Sequence, residues 1–232
     1  MADAWYAFVR WLVRTFYLKT HGGYRVVDAH HVPAKGPLII ACVHMSDLDP
    51  PAAACALKRP LHPMAKEELF HGVFGLLVRS LGAFPVRRGE IDPEAIRKAV
   101  TKLEAGDSLL IFPEGTRNDG EYMLPLNRGI ALLAKRTNAA VVPVGLVGTN
   151  IVMPKGKSRK PEKHLITVAY GKPFTYEEVA TGKNERENRE IFTQELERRI
   201  LALCNEHGNP IKSASCIESS PKKADPAPGI AG

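Results

Sequence analysis

A histidine and an aspartate five positions apart, His44 and Asp49, sit in the run Val43-His44-Met45-Ser46-Asp47-Leu48-Asp49-Pro50. An imidazole titrates near neutral pH, and a carboxylate beside it orients the ring and stabilises the imidazolium. Such a pair can take a proton from an alcohol. Spacing alone is weak evidence, because most histidines near an acid are simply satisfied or exposed. Position strengthens it. Residues 38–43 form an apolar run that reads as a buried strand, so His44 falls at a strand's C-terminal end, where open α/β sheets bind ligands.

Three further blocks follow. Ile111-Phe112-Pro113-Glu114-Gly115-Thr116-Arg117 also ends an apolar run, residues 108–112. It offers a carboxylate, an open glycine, a hydroxyl and a guanidinium whose planar fork suits a phosphate monoester. Glu114 either holds a substrate hydroxyl or fixes the arginine; the plainer alternative is a surface loop with a local ion pair. Gly82-Ala83-Phe84-Pro85-Val86-Arg87-Arg88-Gly89 puts two guanidiniums beyond another strand. Val141-Val142-Pro143-Val144-Gly145 is an apolar strand whose proline points to an edge, a bulge or a pocket wall, with plain core packing as the alternative.

These side chains need a scaffold, and the chain supplies one. Apolar strand-like runs recur at 38–43, 61–65, 82–86, 108–112, 140–145 and 165–170, mostly separated by helical stretches. That alternation predicts an α/β fold with a mostly parallel mixed sheet flanked by helices. The clearest helix is 93–105, with Asp92 placed to cap it, Pro93 in its first turn and Gly106 ending it. Residues 70–81, 129–137 and 184–206 are further helices, the last with Phe192, Leu196, Ile200 and Leu203 on one side. Residues 155–163 form a basic loop, either a solvated connection or a phosphate contact. Three units are expected: 1–22, an amphipathic interfacial helix; 23–207, the α/β domain; and 208–232, a disordered tail rich in Gly, Pro, Ser, Ala and Lys.

The N-terminal helix is unusual. Between Trp5 and Lys19 it carries both tryptophans of the protein and four further aromatics, while Asp3, Arg10 and Arg14 share one stripe. A wide apolar face with interfacial aromatics describes a helix lying in a bilayer surface. The alternative is a helix packed on its own domain or on a second subunit. Net charge is +7, which favours an anionic partner. The basic residues are dispersed and no nucleic-acid module appears, so nucleic acid is not expected. The four cysteines show neither a CxxC pair nor metal-like spacing, and a reduced, intracellular protein is the simplest expectation. No apolar run is long enough to span a bilayer.

The four blocks in this order resemble the glycerolipid acyltransferase family, specifically 1-acyl-glycerol-3-phosphate acyltransferases. The family pattern runs NHxSxxD, GxxFxxR, FPEGTR and a VPV-like strand. Here it is matched by His44, Ser46 and Asp49, by Gly82 to Arg88, by Phe112 to Arg117, and by Val142 to Val144. Met64 to Phe70 is similar to the family's KxEL-type segment, and Val43 stands where the family commonly has asparagine.

The resemblance implies acyl transfer from acyl-CoA or acyl-carrier protein to a lysophospholipid hydroxyl. His44 would be the general base and Asp49 its orienting acid. Arg117, Arg88 and Lys66 would bind the acceptor's phosphate, while Glu114, Gly115 and Thr116 shape its site. Ser46 reads as a loop-stabilising hydroxyl, since a thioester needs no serine nucleophile. No metal and no cofactor beyond the acyl thioester is expected. Carrier protein and an anionic membrane are the expected partners, at the inner face of the cell membrane with peripheral attachment. Other lysolipids, glycerol-3-phosphate, or a non-catalytic membrane-surface role are the alternatives. The reading also expects the His44 imidazole and the Arg117 guanidinium to face one shared cavity.

Overall fold

The computed structural model describes residues 2–20, 22–87, 92–156 and 162–214. The chain begins with α1 (Ala2–Leu12), continues into a π-helical segment (Val13–Leu18), and enters β1 (Tyr24–Val27) and β2 (Leu38–Cys42). There follow α2 (Asp49–Ala56), β3 (His62–Lys66), a 3₁₀ turn (Glu67–Phe70), α3 (Gly72–Ser80), β4 (Phe84–Val86), α4 (Pro93–Glu104) and β5 (Ser108–Ile111). The second half holds β6 (Tyr122–Met123), α5 (Gly129–Thr137), β7 (Ala140–Val147), α6 (Thr149–Val152), β8 (Ile166–Tyr170), α7 (Tyr176–Val179), α8 (Glu185–Glu206) and β9 (Lys212–Ser213).

Among the described residues the main sheet has seven strands in the order β1-β8-β7-β2-β5-β3-β4, parallel except for the antiparallel β7–β8 pair. This is the expected α/β class with a mostly parallel mixed sheet. Strands β2 and β5 are buried along their whole length, as continuous apolar runs in a sheet covered on both faces must be. Helices α4, α5 and α8 pack on one another and on β5 and β7. Helix α1, the π segment and α2 pack together, with α2 against β8.

Local chemistry sets the helix ends. Asp92 accepts from the N–H groups of Glu94 and Ala95 and caps α4. Its carboxyl is lowered to about 2, chiefly by backbone N–H bonds from Arg87 and Ala95. Helix α2 tolerates Pro50 and Pro51 because the first helical turn has no partners for their missing N–H groups.

One sequence expectation is met in part and another needs correction. Pro143 lies inside the sheet and not at an edge, since β7 runs between β8 and β2, but it is buried beside a bulge: three steps from Val144 to Val141 face four from Tyr170 to Phe174. It is tolerated because it faces the place where β8 has ended: its carbonyl accepts from Gly171, and Val141 next exchanges both backbone bonds with Phe174. The chain also stays ordered past residue 208. Ile211 is buried, and β9 pairs with β6. The remainder of the expected tail, 215–232, lies outside the described residues.

The N-terminal helix does two things at once. Tyr6 is buried, its hydroxyl donating to the Ala54 carbonyl and accepting from Leu61 N–H, while Arg10 donates to the Leu57 carbonyl and Leu18 is fully buried. Packing on its own domain therefore holds for one side. The other side exposes Trp5, Phe8, Trp11, Leu12 and Phe16. Beside it, α3 exposes Val73, Phe74, Leu76 and Leu77, and the Trp5 indole N–H donates to Ser80 at the end of that helix. No helix of the described residues is long and apolar enough to cross a membrane.

Candidate active site

Strand register builds the site. In the β2–β5 pair, Ala41 lies opposite Ile111. Three residues further along each chain, the His44 N–H donates to Glu114 Oε1 at 2.8 Å. Three residues beyond that, Arg117 Nη1 reaches Asp47 Oδ2. The two motifs thus leave the sheet side by side and keep their alignment through two successive contacts.

The His44 loop closes on Asp49, the first residue of α2. A single oxygen, Asp49 Oδ2, accepts from His44 Nδ1 at 2.9 Å, Met45 N–H at 2.6 Å and Ser46 N–H at 2.7 Å. Asp49 is fully buried and His44 is 5% exposed. Because the carboxylate only accepts, Nδ1 carries the proton and Nε2 is left as the basic nitrogen. Ser46 Oγ donates to the Met153 carbonyl at 2.8 Å and accepts from Leu48 N–H at 3.1 Å, which suits a hydroxyl that stabilises the loop. The Phe112 ring stacks on the imidazole with centroids 4.2 Å apart.

Glu114 is buried, with Oε1 accepting from His44 N–H and Oε2 accepting from Asn118 Nδ2 and Leu124 N–H, each at 2.8 Å, so its hydrogen-bond partners belong to the histidine loop and its surroundings and not to the Arg117 guanidinium. Burial pushes its carboxyl up to about 7, against the lowering effect of those three donors and with a smaller push from Asp49. Asn118 completes the clamp by donating its N–H to the His44 carbonyl at 2.8 Å. Sequence reasoning missed Asn118 and Asp47. Asn118 directly follows the Phe112–Arg117 block, and Asp47 is an intervening residue of the His44–Asp49 run.

The other expected site residues are dispersed around this centre. Gly115 adopts φ +72° with open space where a side chain would point, and Thr116 is exposed beside it. Lys66 ends β3, the strand next to β5, and pairs with Glu68 at 2.8 Å. Arg88 lies outside the described residues. A cavity of about 720 Å³ opens beside Gly115, lined by Met64, Val86, Ile96, Phe112, Ile130 and Leu133, with Arg87, Arg128 and Arg189 on its wall. Neither His44 nor Arg117 is among the residues that line this cavity. Phe112 both stacks on the imidazole and lines the cavity, and Arg117 meets the histidine loop through Asp47. Among the described residues, no group of three or more His, Cys, Asp or Glu side chains is arranged to hold a metal ion.

Comparison with known proteins adds an independent line. The family model described as Acyltransferase matches residues 23–147. The chain is 30% identical over 190 residues to the 1-acyl-sn-glycerol-3-phosphate acyltransferase of Bacillus subtilis (strain 168), covering 81% of this chain and 92% of that one. It is 33% identical over 123 residues to the human 1-acyl-sn-glycerol-3-phosphate acyltransferase alpha, covering 51% of this chain and 44% of the relative. The crystal structure of the 1-acyl-sn-glycerophosphate (LPA) acyltransferase PlsC from Thermotoga maritima superposes with a TM-score of 0.67 at 22% identity. That match covers 88% of this chain and 86% of the other, a likeness of fold.

Proposed function

This chain belongs to the acyltransferase family, and we propose that it acylates the free hydroxyl of 1-acyl-glycerol-3-phosphate to give phosphatidic acid. The donor is an acyl thioester of CoA or of acyl-carrier protein. The observation that carries the reading is the triple acceptor Asp49 Oδ2, which fixes the Nδ1–H tautomer of His44 and leaves Nε2 basic. The relatives' names supply the acceptor.

In the proposed mechanism His44 Nε2 takes the acceptor hydroxyl proton as the oxygen attacks the thioester carbonyl. Asp49 stabilises the imidazolium so formed. Collapse of the tetrahedral adduct breaks the C–S bond, and the imidazolium returns its proton to the departing thiolate. A thioester is activated enough to need no covalent enzyme intermediate and no cofactor. Glu114 and Asn118 hold the His44 backbone, so Glu114 is assigned to positioning. The apolar cavity behind Phe112 takes an acyl chain, with Gly115 and Thr116 at its acceptor side. Arg117 binds the phosphate; Lys66 and Arg88 are assigned to the same task on the family resemblance alone.

Residues 1–22 act as the interfacial element and the body from residue 23 as the catalytic domain. The outward apolar side chains of α1 and α3 support peripheral attachment to an anionic inner membrane face, where the lysolipid acceptor resides. Thiol release from acyl-CoA with lysophosphatidic acid tests the chemistry. His44→Ala should lose about 10²–10⁴-fold in rate. Equal rates in the two proteins would remove His44 from the mechanism.

A further inference from the structure

Between Leu38 and Asp49 every residue is buried except one, Asp47. Its neighbours Ser46 and Leu48 are locked inward, so its backbone is fixed while its side chain stands 69% exposed at the mouth of the site. There it pairs with Arg117 Nη1, whose own side chain is 29% exposed. Lys155 donates its ammonium to the Arg117 backbone carbonyl. The nearby Asp119 carboxylate is already taken up by the N–H groups of Glu121 and Tyr122.

From this arrangement we infer that Asp47 is a built-in counter-ion: it occupies the place on Arg117 that a phosphomonoester takes, and thereby sets how strongly the site selects phosphate-bearing acceptors. The inference rests on the acceptor reading above for its biological ligand, but not for its chemistry. A carboxylate and a phosphate ask the same thing of a guanidinium, two oxygens facing its fork. A phosphomonoester carries a charge of about −1.5 to −2 at neutral pH and outcompetes a single exposed carboxylate. Arrival of the phosphate on Arg117 then requires Asp47 to swing into water, which its exposure permits. The cost falls on every phosphorylated acceptor and on no neutral one.

The test measures anion binding and acceptor KM on the full chain. Inorganic phosphate, titrated by ³¹P line broadening at low ionic strength, should bind Asp47→Asn about three- to tenfold tighter than wild type. The KM for lysophosphatidic acid should fall by a similar factor, while that for 1-monoacylglycerol stays put. Raising salt to about 0.5 M should close the gap, because the competing charges are exposed. Asp47→Ala should repeat the result if the amide of the first variant makes contacts of its own, and Asp47→Asn with Arg117→Met should abolish the gain. Equal or weaker phosphate binding by both Asp47 variants would overturn the inference, leaving Asp47 as a group that holds Arg117 in place. Persistence of the gain without Arg117 would overturn it as well. Tighter phosphate binding in a protein that does not acylate lysophosphatidic acid would sink the acceptor assignment and keep the counter-ion.

Discussion

Glu114 is under two opposed demands. Burial disfavours its charge, yet its oxygens accept three N–H groups that favour it, and the balance leaves the carboxyl near 7 rather than near its ordinary 4.5. A carboxyl raised on folding holds its proton more tightly in the native state. Its contribution to stability is therefore full below about pH 4.5 and is lost as pH rises through about 7. Glu114→Gln removes that titration. The stability of wild type relative to the variant should fall between pH 5 and pH 7.5 in denaturant melts, and a difference that is flat or rises with pH would contradict the assignment. His44 and Asp49 were legible in the sequence because they lie in one short loop. The clamp of Glu114 and Asn118 was not, since it grips the backbone of His44, two residues past the end of β2, and only the adjacency of β2 and β5 brings the two together.

Elements were legible where hydrophobic runs were long. Helix α5 at Gly129–Thr137 and the core strands β2, β5 and β7 follow directly from apolar patterning. Strand β1, Tyr24–Val27, escaped because four residues containing an arginine carry little pattern; its strand character comes from parallel pairing with β8. Helix α2 escaped behind its two prolines. One close approach at this scale has a measurable consequence. A Cβ placed on Gly145 in β7 would stand 2.8 Å from Leu203 Cβ in α8, so strand and helix touch because that side chain is absent. Gly145→Val should cost about 1–3 kcal/mol by overpacking. That corresponds to a thermal midpoint lowered on the order of 5 °C. An unchanged midpoint would mean that α8 can move away freely.

Across the whole molecule, the exposed large apolar side chains of the described residues concentrate on α1, the π segment and the stretch from Leu69 to Leu77. Patches of this kind on soluble surfaces mark sites of association. Truncating the N-terminus is a poor test of the membrane role, because Tyr6 and Leu18 belong to the packed interior. Serine at Phe8, Trp11, Val73 and Phe74 spares the interior, these side chains being 51%, 54%, 84% and 60% exposed. Such a variant should lose sedimentation with anionic vesicles while keeping its melting temperature; undiminished sedimentation would refute the lipid-facing role. The π segment gives that surface its continuity. Trp11 and Phe16, five positions apart, belong to different sides of an ordinary helical turn, yet the wider winding sets their rings edge to face at 5.5 Å. Helical phase is thereby written into chain length: one residue more or fewer between Leu12 and Leu18 would swivel the aromatic ridge away from its continuation. The winding thus constrains the number of these residues more tightly than their identity.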